Sequence, residues 1–280
     1  MQSVAIFGAG ELGGQVAHLL ARRDVARAIV LLDDAGTVAA GKALDIAQAA
    51  PIEGFATQLS GSTDAAAAFG CAVIVLAETA KSGEWQDDAA QQLLRQIAAG
   101  APNAIVICAG ASHRDVVQRG IRDLKMSPDR LVGTAPEALA GAARAIVALA
   151  ANGSPKDVAL SVLGVPPTHI VVPWEDATIA GFALTRSLDG PTRRRIGATI
   201  AALWPPGPHA LAAAAVKAIE SIAGRGRQVV SCFVGPDTKA GTRTRTAALP
   251  VRLGAGGVVD VLTPSLSVVE RVALENAMAL

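Results

Sequence analysis

The chain has 280 residues, of which 51% are hydrophobic, and a formal net charge of +1 at pH 7. This length suits one or two domains with a substantial apolar core. The near-neutral charge argues against nucleic acid or an anionic membrane as a partner, since both attract an excess of basic residues. The N-terminus leads directly into an apolar run, and no run of about 18 apolar residues follows. We therefore expect a soluble, cytoplasmic protein with a small-molecule ligand and no membrane contact.

The cysteines are few and widely separated, and each lies inside an apolar run: Cys71, Cys108 and Cys232. An odd number of separated thiols is typical of buried cysteines in a reducing compartment. The sequence predicts neither a disulfide nor a metal site.

In the first half of the chain, short apolar runs rich in β-branched residues alternate with helical segments. The predicted strands are Ser3–Phe7, Ala28–Leu32, Ala72–Leu76, Ala104–Cys108 and Leu131–Val132. This alternation is typical of a parallel sheet covered by helices. Because the crossovers between parallel strands are right-handed, the sheet should be doubly wound, with a ligand crevice at the carboxyl ends of its strands.

A glycine-rich turn connects the first predicted strand to a helix. It reads Gly8-Ala9-Gly10-Glu11-Leu12-Gly13. The three glycines permit a tight turn, a close approach of a pyrophosphate and close packing of helix on strand. The helix start, with Glu11 and Leu12, supplies backbone donors and partial positive charge. The second strand then ends at Asp33, whose carboxylate is placed to accept hydrogen bonds from a ribose. The predicted cofactor-binding residues are Gly8, Gly10, Glu11, Leu12, Gly13 and Asp33, and the acid favours NAD over NADP.

From about Glu137 the simple alternation stops. The predicted elements are a helix over Ala138–Ala151, apolar runs at Val158–Leu163 and Ile170–Val172, helices over Pro191–Leu203 and His209–Ala223, strands at Val229–Val234 and Val258–Leu262, and a terminal helix over Pro264–Leu280. Such an order favours an α+β unit. We therefore divide the chain into a dinucleotide-binding domain, 1–137, and a substrate domain, 138–280.

Several segments are not required by a generic nucleotide-binding fold. They are Gly41-Lys42-Ala43-Leu44-Asp45, Pro51-Ile52-Glu53-Gly54-Phe55, Pro102-Asn103-Ala104-Ile105-Val106, the run from Val158 to Gly164, and Ala177-Thr178-Ile179-Ala180-Gly181. With them, nearly the whole chain resembles the lactate/malate dehydrogenases, especially the malate dehydrogenases closest to lactate dehydrogenase. The resemblance implies a Rossmann-like doubly wound parallel sheet followed by a mixed α+β C-terminal domain, NAD as cofactor, and a homodimer or homotetramer.

The resemblance also implies hydride transfer between the nicotinamide and a 2-hydroxy acid. That reaction uses a histidine, an aspartate that orients it and two arginines that hold and polarise the substrate. The family's loop arginines would correspond to Ala80 and Gln86, near Glu84, which would repel a diacid. After the strand that ends at Cys108, Ala111 and Ser112 stand where the family has asparagine and proline.

The remaining chemical positions also differ from the family pattern. Leu139 and Ala142 correspond to the family's orienting aspartate and carboxylate-binding arginine. The family's histidine turn is replaced by Val165-Pro166-Pro167-Thr168. On this basis we assign no catalytic residue.

Three hypotheses follow. The first is an NAD-binding member of this family, nominally an oxidoreductase, with weak, altered or no 2-hydroxy-acid dehydrogenase activity. The second is an active oxidoreductase on a less charged carbonyl or alcohol, in which Lys81, His113, Arg144 or His169 substitutes for the missing groups. The third is a non-enzymatic dinucleotide sensor or a structural subunit. The sequence leaves turnover, substrate and oligomeric state open.

Overall fold

The computed structural model describes residues 1–81, 83–236 and 245–279. Its strands are β1 Ser3–Phe7, β2 Ala28–Leu32, β3 Gln58–Ser62, β4 Val73–Leu76, β5 Glu78–Thr79, β6 Gly83–Glu84, β7 Ile105–Cys108, β8 Leu131–Gly133, β9 Val158–Ala159, β10 Leu163–Val165, β11 His169–Val171, β12 Thr178–Ile179, β13 Phe182–Ala183, β14 Val229–Val234, β15 Ala247–Gly254 and β16 Gly257–Val261. Its helices are α1 Glu11–Arg22, α2 Gly36–Glu53, α3 Asp87–Gly100, α4 Arg114–Arg122, α5 Ala135–Ala150, α6 Leu184–Ser187, α7 Gly190–Ala202, α8 Pro208–Ile222 and α9 Val268–Ala279.

The first half of the chain forms the predicted parallel sheet. Its strands lie in the order β8-β7-β4-β1-β2-β3. In register, Ala5 of β1 lies between Val30 of β2 and Ile74 of β4. The chain runs from β1 outward to β2 and β3, then returns to the other side of β1 for β4. The crevice between the ends of β1 and β4 is therefore the switch point at which doubly wound sheets bind their ligands.

The second half extends the same sheet with antiparallel strands. β14 pairs antiparallel with β8, with Phe233 opposite Gly133, and β15, β10 and β11 follow outward. β9 leaves this sheet and joins β12 and β13 in a small one of three strands. The fold is thus a Rossmann-type, mostly parallel sheet with flanking helices and a mixed second half, which confirms the predicted fold class.

Helix α1 is held rigidly behind the end of β1. Its apolar face buries Leu12, Val16 and Leu20 in one core cluster with Val4 and Ile6 of β1. Burying a large aliphatic side chain stabilises the fold by about 1.5–3 kcal/mol. This packing fixes the N-terminus of α1 at the crevice. Within the described parts of the chain, every helix is too short or too polar to cross a membrane.

Candidate functional site

The glycine turn lies at the switch point, between β1 and α1. Gly8 has a φ of 113°, and a Cβ atom there would lie 2.2 Å from the carbonyl oxygen of Glu78. A Cβ on Gly13 would lie 1.9 Å from the carbonyl oxygen of Gly8. Gly8 is therefore required by its backbone conformation, and Gly13 by the closeness of helix and turn. The structure brings both together with Gly10, as the sequence analysis expected.

The N-terminus of α1 is in contact with a carboxylate of the protein itself. The Leu12 amide donates to Oε1 of Glu78 at 2.9 Å, and the Gly10 amide donates to the carbonyl oxygen of the same residue at 3.0 Å. Glu11, beside them, is exposed. Free N–H groups and the helix dipole stabilise an anion at this position. Sequence reasoning missed Glu78, although an acid just past the end of a buried strand is a signal for a crevice residue.

Asp33 lies where it was predicted, just past the end of β2, and is 7% exposed. Its Oδ2 accepts from the amides of Ala9 and Ala80, both at 2.8 Å, and its Oδ1 accepts from the amide of Ala35 at 2.9 Å. An ionised carboxylate offers about four acceptor positions. Asp33 therefore links the glycine turn to the segment after β4. Few of its acceptor positions remain free for a ribose hydroxyl.

The segment after β4 folds into a short hairpin, which we call the crevice hairpin, formed by β5 and β6 (described residues 78–81 and 83–84). Glu78 lies opposite Glu84 in its register. Ser82 lies outside the described residues. Beyond the hairpin, the indole Nε1 of Trp85 donates to the carbonyl oxygen of Phe7 at 3.2 Å. The hairpin is thus held against the end of β1.

The second acid of the crevice hairpin lies at the N-terminal side of α4. Glu84 accepts from the amides of Ala111 and Ser112, both at 2.8 Å, and from the Ser112 hydroxyl. Burial opposes its ionisation, yet the hydrogen bonds from Ser112 and Ala111 and the nearby His113 hold the pKa of Glu84 below its usual value. The Glu84 carboxylate stays charged, and its hydrogen bonds hold the hairpin against the loop that contains Ala111 and Ser112.

His113 is fully buried beside this contact. Its Nδ1 accepts from the Gly110 amide at 3.0 Å, so the proton of the neutral ring is on Nε2, which has no hydrogen-bond partner among the described residues. Burial lowers the pKa of His113 to about 4, with Glu84 acting in the opposite direction. The imidazole is therefore neutral at pH 7.

We expect this histidine to make the protein acid-sensitive. The unfolded chain takes up a proton near pH 6.5 and the folded chain only near pH 4, so stability is lost as the pH falls between these values. The shift corresponds to about 3 kcal/mol. His113→Asn keeps an acceptor for the Gly110 amide and should flatten a plot of melting temperature against pH. His209→Asn, at an exposed position, is the control. If the melting temperatures of the two variants changed equally with pH, this account would be contradicted.

The other residues considered from sequence, Arg144, His169 and Lys81, lie on three different parts of the structure. Arg144, in the middle of α5, donates through Nη1 to Glu137 at 2.9 Å and through Nε to the Leu160 carbonyl at 3.1 Å. His169 begins β11, at the far edge of the sheet, and contacts the Thr168 hydroxyl through Nδ1 at 2.8 Å. Lys81 is exposed in the crevice hairpin. The structure therefore does not gather these groups into one constellation.

Gly8, Gly10 and Gly13 form a cradle suited to the pyrophosphate of a dinucleotide. The turn is at the switch point, the Leu12 amide of α1 donates to the Glu78 carboxylate, and Asp33 lies beside the turn, where it accepts from the Ala9 amide. Part of that cradle is filled by Glu78, since a Cβ on Gly10 would lie 2.2 Å from its Cγ atom. The residues fit NAD, on condition that the Glu78 side chain gives way.

Comparisons with known proteins agree with this geometry. The sequence model of the lactate/malate dehydrogenase NAD binding domain matches residues 2–117. A malate dehydrogenase from Thermomicrobium roseum is 29% identical, over 99% of this chain and 94% of its own length.

Solved structures share the fold over nearly the whole chain. A malate dehydrogenase from Salinibacter ruber superposes with a TM-score of 0.87 at 24% identity, over 99% of this chain and 94% of the other. A lactate dehydrogenase from Cryptosporidium parvum, complexed with lactic acid and nicotinamide adenine dinucleotide, does so with a TM-score of 0.87 at 23% identity, over 99% and 95%.

Proposed function

Because the chain belongs to the lactate/malate dehydrogenase family and NAD is its cofactor, we propose that it binds NAD(H) across the Gly8–Gly13 turn and has weak, altered or no 2-hydroxy-acid dehydrogenase activity. Gly8, Gly10, Glu11, Leu12, Gly13 and Asp33 are the proposed cofactor contacts. NAD supplies a hydride acceptor at its nicotinamide when bound. The protein supplies the cradle, the helix dipole and the acid at the ribose side.

One observation carries the second half of this proposal. The positions that the sequence resemblance matches to the family's acid-base and carboxylate-binding groups hold side chains that cannot do that chemistry. Leu139 is fully buried and apolar, Ala142 has no polar side-chain atom, and Pro166 has no side-chain proton to exchange. Gln86 is neutral, and its Nε2 donates to the Ser112 hydroxyl at 3.2 Å.

Two of the candidate replacement groups, Arg144 and His113, are unsuited to this chemistry. Arg144 is bound to Glu137, so its guanidinium is not free to hold a substrate carboxylate. His113 is neutral and completely enclosed, with a pKa of about 4, which makes it a poor proton donor near pH 7. Loss of a general acid or of a charge-stabilising donor typically lowers the rate by about 10² to 10⁴ for each group. We therefore expect turnover of malate or lactate to be severely depressed.

A titration with NADH, followed by addition of 2-oxo acids, aldehydes and ketones, tests the proposal. We expect saturable NADH fluorescence and loss of 340 nm absorbance with oxaloacetate and pyruvate at least about 10⁴-fold slower than in an ordinary member of the family. Oxidation of NADH by an uncharged carbonyl would instead favour a reductase with a different substrate. Absence of NADH binding at millimolar concentration would contradict the proposal.

A further inference from the structure

Glu78 occupies the place that a dinucleotide pyrophosphate would take. Its carboxylate accepts a hydrogen bond from the Leu12 amide, and its backbone carbonyl oxygen accepts one from the Gly10 amide. Its side chain covers the open face of Gly10, where an added Cβ would lie 2.7 Å from Oε1. The function of the second glycine in such a turn is to leave that face open for phosphate oxygens. In this protein an internal carboxylate, that of Glu78, covers this face instead.

The carboxylate of Glu78 has no basic partner in the part of the chain that the structure describes. Within the described residues, no lysine, arginine or histidine nitrogen makes an ion pair with it. Lys42, which is close by, donates through Nζ to the Gly10 carbonyl at 2.6 Å instead. The partial positive charge of the α1 N-terminus is therefore what holds this anion, and the same charge would hold a phosphate.

Contacts on both sides of Glu78 keep it in place. On one side, Asp33 binds the Ala80 amide of the crevice hairpin. On the other, Glu84 binds the loop before α4, and Trp85 binds the end of β1. Asp33, which would otherwise face a ribose, is thus also engaged by the hairpin. The two cofactor subsites are closed by one segment of chain.

We propose that Glu78 is an internal competitor for the pyrophosphate of NAD, and that it determines how tightly this protein binds its cofactor. The inference rests on the proposed binding of NAD(H) at the glycine turn. The crevice hairpin must move Glu78 off the α1 N-terminus before the dinucleotide can bind. The apparent affinity is then the intrinsic affinity multiplied by the fraction of molecules in which the hairpin is open.

Two substitutions separate charge from shape. Glu78→Ala removes the side chain from the cradle, and Glu78→Gln keeps its size but removes its charge. Asp88→Asn removes one exposed negative charge from the start of α3 without touching the glycine turn, so it controls for long-range electrostatics. Melting temperatures of all four proteins establish that each is folded.

The measurement is calorimetric titration of each protein with NADH and, separately, with inorganic pyrophosphate. We expect Glu78→Ala to bind NADH at least about 10-fold more tightly than the wild type. We expect Glu78→Gln to lie between them, Asp88→Asn to match the wild type, and pyrophosphate to bind detectably only to the Glu78 variants. Measurable NADH binding that is equal in all four proteins would overturn the inference and leave NAD binding intact. Failure of all four proteins to bind NADH would overturn the proposed function, and this inference with it.

Discussion

Replacing Glu137 with alanine is expected to lower the free energy of unfolding by about 3–5 kcal/mol. Glu137 is 3% exposed, in the first turn of α5. Its Oε1 accepts from Arg144 Nη1 at 2.9 Å and from Lys217 Nζ at 2.6 Å, and its Oε2 accepts from the Ser231 amide at 2.8 Å. Removing the carboxylate leaves two half-buried cations and a buried amide without their acceptor.

The measurement is chemical unfolding monitored by circular dichroism. An exposed ion pair supplies the control, because Glu220 accepts from Arg23 at 2.9 Å and its side chain is 26% exposed. Glu220→Ala should lower the free energy of unfolding by no more than about 1 kcal/mol. Similar losses for the two variants would contradict the central place given to Glu137 in joining α5, α8 and β14. The Glu137→Ala substitution would also free Arg144 for other contacts.

Gly13→Ala is expected to lower both stability and NADH affinity. A Cβ there would lie 1.9 Å from the Gly8 carbonyl oxygen, a backbone atom that cannot move without the whole turn. Inserting even one methyl group into such a contact typically costs about 1–3 kcal/mol. The displaced N-terminus of α1 would also present its amides in the wrong place, so we expect NADH to bind about 10-fold more weakly or worse.

Gly14→Ala is the matched control on the next residue of the same helix. A Cβ there would meet only the flexible end of Lys42, 3.2 Å away at Nζ. Alanine is a better helix former than glycine by about 1 kcal/mol, so this variant should be as stable as the wild type or more stable. Differential scanning calorimetry and NADH titration of both variants test the pair. If Gly13→Ala had the same melting temperature and the same NADH affinity as Gly14→Ala, the result would show that the turn tolerates separation from the helix.

The central parallel strands could be predicted from the sequence because their physical signal is strong. Among these, β1 and β2 have the predicted bounds, and β4 and β7 each begin one residue later than predicted; the antiparallel strand β14 also has its predicted bounds. Strands buried on both faces are continuous apolar runs, which stand out from helices and loops. The glycine turn was equally visible, because strand, glycine spacing and helix follow one another directly.

Among the strands that the sequence analysis missed, the two longest were missed for identifiable reasons. β3, Gln58–Ser62, is the edge of the parallel sheet and reads Gln-Leu-Ser-Gly-Ser, so it lacks an apolar run. β15, Ala247–Gly254, contains Pro250 and small residues, although it is the longest described strand and almost entirely buried. Proline and alanine disfavour a strand locally, and only pairing with β14 and β16 overrides that preference.

The site was predicted in part. Asp33 lies at the predicted crevice, but one of its three amide contacts, from Ala80, comes from a hairpin that the periodicity of the sequence does not indicate. Glu78 was missed because its importance depends on β5 turning back over the glycine turn, a tertiary contact. The boundary predicted between residues 137 and 138 falls inside α5, Ala135–Ala150, and stays a prediction. So do the homodimer or homotetramer and the cytoplasmic location.

The most direct test of the account is kcat/KM for oxaloacetate, measured with NADH at a concentration shown by titration to saturate the protein. The malate dehydrogenase of Thermomicrobium roseum, assayed side by side, supplies the reference. The account predicts a value at least about 10⁴-fold lower for this protein, because we propose that the general acid, the orienting carboxylate and the carboxylate-binding cations of the family are replaced. A value within about tenfold of the reference would contradict it, because such a rate needs a barrier only about 1.4 kcal/mol higher.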